Sequence, residues 1–128
     1  MFKNETYYHN TEKLIILMDY NNKTFKLISS SGNSDLSSNT IFHYKQKDDL
    51  LISEYMSENV KFGQIIGVVS RNGEINISYQ QVGQDGKLKT GVCNSKPEIL
   101  SNGKIRLYEK WTWTSGDKTQ GQSVLEEV

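Results

Sequence analysis

VKFGQIIGVVSRNGEINISYQQVGQDGKLKTGVC, residues 60–93, holds three alternating runs joined by two tight turns. Val60–Val69 sets Phe62, Gln64, Ile66 and Val68 against Lys61, Gly63, Ile65 and Gly67. Glu74–Val82 carries Ile75, Ile77 and Tyr79 on one face, and Lys87–Cys93 carries Leu88, Thr90 and Val92. Period-two alternation is the mark of a half-buried strand. Arg71-Asn72-Gly73 and Gln84-Asp85-Gly86 stand between the runs, and Asn-Gly favours the positive φ of a type I′ hairpin turn.

The same rhythm extends both ways. Upstream are Lys23–Ser29 with Phe25 and Leu27 on one face, Thr40–Lys45 with Thr40, Phe42 and Tyr44 on one face, and Leu50–Met56. Ser30–Ser38, Gln46–Asp49 and Ser57–Asn59 break them. Downstream, Pro97 is ill suited to a central strand, so a short helical turn is predicted near Pro97–Leu100 or in the N-terminal extension. Asn102-Gly103 then turns into Lys104–Thr114, the cleanest run of all. It points Ile105, Leu107, Glu109, Trp111 and Trp113 one way. Ser115-Gly116-Asp117 leads to Lys118–Glu127, with Val124 or Leu125 inward. Eight hairpin-linked strands of similar length form a meander, and a meander closes to protect its edges. The fold class is all-β, an eight-stranded antiparallel up-and-down barrel over residues 18–128; the alternative is a two-layer β-sandwich. Residues 1–17 read as an N-terminal extension that adds an edge strand or nothing.

Composition agrees with strands. The chain of 128 residues has no alanine, the strongest helix former. Fifteen basic residues balance fifteen acidic ones, and only Arg71 and Arg106 are arginines. A nucleic-acid partner would want a basic face, so none is expected. Leu14–Met18 is the longest apolar run, too short to span a membrane or form a signal core. Cys93 is the sole cysteine, which suits a reducing, cytoplasmic setting. The sequons at Asn4, Asn22 and Asn76 then follow from an asparagine-rich chain.

Candidate chemistry lies on the apolar faces. Gln64, Gln81, Thr90 and Glu109 occupy positions where apolar side chains are expected, and a buried polar group needs partners. Glu109 is the sharpest case, flanked by Leu107 and Trp111. It could orient a ligand, act as an acid or base, or pair structurally with a lysine or tyrosine. Trp111 and Trp113 stand side by side and, with Tyr79, could wall a ligand or plug the barrel. His9 and His43 are isolated, no spacing suggests a metal, and Cys93 is placed on the outer face or at a rim. Gly83–Lys87 lacks the spacing of a phosphate loop.

Pro97-Glu98, Gly103-Lys104-Ile105-Arg106, the string Glu109-Lys110-Trp111-Thr112-Trp113-Thr114-Ser115-Gly116-Asp117 and Gly121 resemble a family of small, uncharacterised bacterial β-barrel proteins. The likeness runs more weakly from about Met18 to the end. Members commonly carry the label N-acetylglutamate synthase, so the resemblance implies acetyl transfer. The residues read differently: an acetyl-coenzyme A loop has the form Q/R-x-x-G-x-G/A and opens a helix. Here Gln80-Gln81-Val82-Gly83-Gln84-Asp85 ends in Asp and precedes a strand. In architecture the pattern is similar to lipocalins and avidins. Lipocalins show Gly-x-Trp on the first barrel strand, where this chain has Lys23-Thr24-Phe25.

The functional expectation is a non-enzymatic binder of a small, partly apolar molecule. Trp111, Trp113 and Tyr79 would form the wall, and Glu109, Gln81, Gln64 and Thr90 would supply polar contacts. No cofactor is called for, and a homodimer through an exposed strand is compatible. The alternatives are a plugged structural barrel and an enzyme using Glu109 as acid or base.

Overall fold

Tight turns and period-two runs leave the chain one economical way to bury its apolar faces, and the computed structural model has that form. It describes residues 6–8, 14–16, 18–32 and 34–128. Expectations placed on His9, Asn4 and Asn33 lie outside these. The strands are Thr6–Tyr8 (β1), Leu14–Ile16 (β2), Thr24–Ser31 (β3), Ile41–Lys47 (β4), Leu50–Ser57 (β5), Val60–Val69 (β6), Ile75–Gly83 (β7), Leu88–Ile99 (β8), Ile105–Trp113 (β9) and Gln120–Glu127 (β10). β3 to β10 form a closed antiparallel barrel in sequence order, with β10 pairing β3 to complete the ring. The two-layer sandwich is thereby excluded. β1 and β2 pair only with each other, as a separate two-stranded sheet.

The turns differ in type from the expectation. Ser70 N–H donates to Glu74 O, and Gly73 N–H donates back to Ser70 O. Gly83–Lys87 and Leu100–Lys104 repeat that pattern. Only the glycines Gly73, Gly86 and Gly103 carry positive φ there, at 87°, 80° and 84°. These are therefore type I turns closed by a left-handed glycine, not type I′ turns. The residue before each glycine has its own task. Asn72, Asp85 and Asn102 accept from the backbone N–H two residues on, at 3.1, 3.0 and 2.9 Å.

Two expectations near the ends also change. No helical turn forms at Pro97–Leu100; Pro97 belongs to β8. β8 pairs with β7 only as far as Ser95, while its pairing with β9 runs on to Ile99. Pro97 thus sits where one side of the strand has no ladder to break. Gln46 is not a turn residue but a buried strand residue of β4. Its Oε1 accepts from Tyr20 N–H at 2.8 Å, and its Nε2 donates to Met18 O and Asp48 O.

The core closes one end of the barrel. Tyr20, Phe25 and Tyr44 form a ring cluster with centroids 4.8 to 6.3 Å apart. Leu51, Ile75 and Leu107 are fully buried beside it. Tyr20 Oη donates to Gly73 O at 2.6 Å, tying the plug to the β6–β7 turn. Moving along β7 and β9 away from this plug, inward positions pass from Ile75 to Gln81 and from Ile105 to Trp113. The lumen lies toward that second end.

Two strands face the other way from the sequence reading. On β6, Gly63, Ile65, Gly67 and Val69 point inward, while Phe62, Gln64, Ile66 and Val68 are exposed. On β8, Gly91, Cys93 and Ser95 point inward, while Leu88, Thr90 and Val92 do not. The cause is steric. Gly63 pairs with Tyr55, Gly91 with Tyr79, and Gly121 on β10 with Trp111. At each, an added Cβ would overlap the partner ring. Large rings from neighbouring strands fill the space that inward side chains on β6 and β8 would need.

Candidate ligand site in the barrel lumen

Above the plug the barrel keeps a cavity of about 60 Å³. A single water takes about 10–15 Å³ on this scale, so the space exceeds one or two waters. It is well below the several hundred Å³ of a drug-sized pocket. Its walls come from nearly every strand. β9 supplies Glu109, Trp111 and Trp113, β7 supplies Ile77, Tyr79 and Gln81, and β8 supplies Cys93. Phe42, Tyr55, Ile65, Leu27, Ser123 and Leu125 complete the ring, and Ser34 and Leu36 of the β3–β4 loop reach over it.

The indoles are fixed. Trp111 and Trp113 are 7% and 4% exposed, with rings 6.1 Å apart and inclined by 62°. Trp111 Nε1 donates to Ser123 Oγ at 2.9 Å, and the ring lies over Gly121. Tyr79 meets Trp113 edge-on at 5.3 Å. Near-perpendicular neighbours of this kind form the corners of a box rather than a flat stack.

Glu109 stands at the centre. It is half-buried, and it lines both this cavity and an outer depression shared with Lys96, Tyr108 and Lys110. Its carboxyl is nonetheless desolvated, and burial raises its pKa from 4.5 to about 7. The nearby Ser95 hydroxyl, opposite it on β8, pulls the value down without forming a full hydrogen bond. Among the described residues no Lys, Arg or His lines the lumen to compensate the charge. Burial, with the Glu109 charge second, holds the Cys93 thiol well above its usual range. Tyr44 and Ser95 are buried hydroxyls with no hydrogen-bond partner among the described residues. Burial raises the Tyr44 pKa, with the Glu109 charge the next cause.

The mouth is tied by a polar chain. Tyr55 Oη donates to Gln81 Oε1 at 2.7 Å, and Gln81 Nε2 donates to Asp35 Oδ2 at 3.0 Å. Lys89 Nζ pairs with the same Asp35 oxygen at 2.8 Å and lies 4.1 Å from the centre of the Trp113 ring.

Of the residues singled out in the sequence, Glu109, Trp111, Trp113, Tyr79 and Gln81 come together in the lumen. Gln64 and Thr90 do not, and their expected inward placement is corrected. Gln64 Oε1 accepts from Gln80 Nε2 on the outer face, and the Thr90 hydroxyl meets that of Thr114 there. Their strands turn glycines inward instead. Cys93, expected on the outer face or at a rim, faces the lumen for the same reason. Tyr55, Asp35 and Lys89 went unrecognised. A glycine directly across from Tyr55 was the available signal, but it requires the register.

A closed eight-stranded antiparallel barrel, plugged at one end and lined by aromatic rings at the other, places the chain among the small up-and-down β-barrels, whose interior is wide enough to hold one small ligand. The profile of the avidin-like protein family matches residues 18–128, and the chain belongs to that family. No curated protein and no solved structure matched it.

Proposed function

We propose that the protein binds a small, partly apolar molecule in the barrel lumen without transforming it. The observation that carries this is a cavity above the plug, aromatic on its walls, with the half-buried carboxyl of Glu109 among its lining. A barrel serving only as a structural module has no need of such a space, and the cost of burying Glu109 would go uncompensated. Binding is favoured over acid–base catalysis by Glu109 because no second group titrating near neutrality lines the cavity among the described residues. Cys93 and Tyr79 are both pushed up by burial. The setting proposed is cytoplasmic, resting on the single free thiol. No helix among the described residues is long and apolar enough to cross a membrane.

Native mass spectrometry of protein purified from its own host tests this. A retained small molecule that is lost on unfolding and quenches tryptophan fluorescence on return is the expected result. A bare mass would overturn it, and unchanged binding of a retained ligand by Trp111→Ala would overturn its placement against the tryptophan wall.

The second proposal concerns a partner. The β1–β2 sheet lies outside the closed barrel and keeps strand edges of its own, while the barrel itself offers a second copy an outer sheet face. Ile52 stands opposite Ile66, and Leu50 opposite Val68, all exposed on β5 and β6. Ser78 separates Ile66 from exposed Val92 in the same row.

A further inference from the structure

Ligand charge is the next question, and it rests on the reading of the lumen as a binding site. The lumen contains one carboxyl and no basic side chain among the described residues. Around it stand Tyr55, Tyr79, Trp111 and Trp113, with the Trp113 ring set at a steep angle to both Tyr79 and Trp111. Ring faces carry negative potential, so an electron-rich box around a carboxylate attracts a cation and repels an anion. At the mouth the fold already uses that chemistry, since the Lys89 ammonium rests over Trp113 with Asp35 as its counter-ion. Lys89 is thereby neutralised and does not answer the Glu109 charge. Ser95, wholly buried beside Glu109, has a hydroxyl without a partner.

We infer that the lumen selects a small alkylammonium ion, its charge against the Glu109 carboxylate and its alkyl groups within the aromatic box. A neutral amide could donate to Glu109 but would leave its charge uncompensated in a desolvated space, whereas an ammonium compensates it. A carboxylate ligand would add a second negative charge. The cavity of about 60 Å³ admits only a compact head.

Binding of this kind depends on pH. On the lumen side the groups around Glu109 are Ser95 and Cys93 from β8, Ser123 from β10, Tyr44 from β4, Tyr55 from β5 and Tyr79 from β7, and Lys96 of β8 with Tyr108 and Lys110 of β9 surround the outer depression that Glu109 also lines. The thiol and the three lumen-side phenols are held neutral by burial. Glu109 is then the group that titrates near pH 7. A cation binds its ionised form, so affinity rises with pH and falls about tenfold per unit below that pKa.

The test titrates the full chain with tetramethylammonium chloride, whose charge does not titrate, and with neutral tert-butanol of similar size. Tryptophan fluorescence and calorimetry give the readout, with sodium chloride as the ionic control. At about pH 8 the cation is expected to bind at least about tenfold more tightly than the alcohol. Two units lower the advantage disappears. Glu109→Gln, checked for folding by its melting curve, loses the cation and the pH dependence together. Equal or tighter binding of the alcohol overturns the ligand class while the lumen remains a binding site. So does retention of an anionic or neutral compound by host-purified protein. If neither probe binds and nothing is retained, both proposals fall.

Discussion

Glu109 places a carboxyl where Leu107 and Trp111 on either side require an apolar surrounding. The fold therefore holds its proton more tightly than the unfolded chain does: about 7 against an ordinary 4.5. The group is protonated in both states below the lower value and ionised in both above the upper one. Its stabilising contribution is complete at low pH and is lost as pH rises through 7. The gap corresponds to about 3 kcal/mol at 1.36 kcal/mol per pKa unit, an upper bound because the cavity screens part of it. Glu109→Gln should therefore be more stable than the parent at about pH 8 and similar to it at about pH 4. Urea unfolding of both proteins at the two pH values checks this, and parallel pH profiles would refute the burial of the charge. This residue was legible in the sequence because its neighbours two positions away are large and apolar. Asp35 was not, because it lies in a serine-rich loop whose course depends on Lys89 and Gln81, distant in sequence.

At the scale of the strand, three glycine–aromatic pairs control which way the side chains face. Gly63 faces Tyr55, Gly91 faces Tyr79 and Gly121 faces Trp111. They differ in what an added methyl would strike. At Gly63 the obstacle is the Tyr55 ring; at Gly121 it includes the Ser31 carbonyl as well as Trp111. Gly63→Ala and Gly121→Ala should each cost roughly 1–3 kcal/mol by overpacking. Tyr55→Leu should restore much of the loss at Gly63, since a smaller side chain clears the space. Trp111→Leu should not rescue Gly121→Ala, because the Ser31 backbone stays in place. Chemical denaturation of the four single and two double variants gives the coupling; equal rescue at both sites would refute the distinction. The same pairs explain what the sequence concealed. Strand number and order were legible because turn residues punctuate nearly every run. The facing of β6 and β8 was not, because an inward glycine looks like a solvent-side position until its partner across the ladder is known. On β9, where the inward set is Ile105, Leu107, Trp111 and Trp113, bulk and facing agree, and the face was read correctly.

For the whole molecule, the inverted facing of β6 and β8 has an outward counterpart. Apolar side chains absent from the lumen appear on the outer wall: Ile66 is 54% exposed, Val68 53%, Ile52 50% and Val92 47%. Leu50 adjoins Val68 across β5 and β6, so these residues form one band rather than scattered points. Bands of this kind on a folded surface mark contact sites. Equal numbers of acidic and basic residues leave no net charge to oppose a second copy. Two such faces related by a two-fold axis can stack as sheets do, at about 10 Å, with each band covering the other. Sedimentation velocity over a range of concentrations should show a reversible dimer. Ile66→Lys should make it monomeric while leaving the melting temperature nearly unchanged, because the side chain projects away from the core. The same substitution should leave tryptophan fluorescence unaltered, since Trp111 and Trp113 face the opposite side of the wall. A protein that stays monomeric at every concentration, or an Ile66→Lys variant that still dimerises, would remove the outer face from consideration and leave the lumen assignment standing by itself.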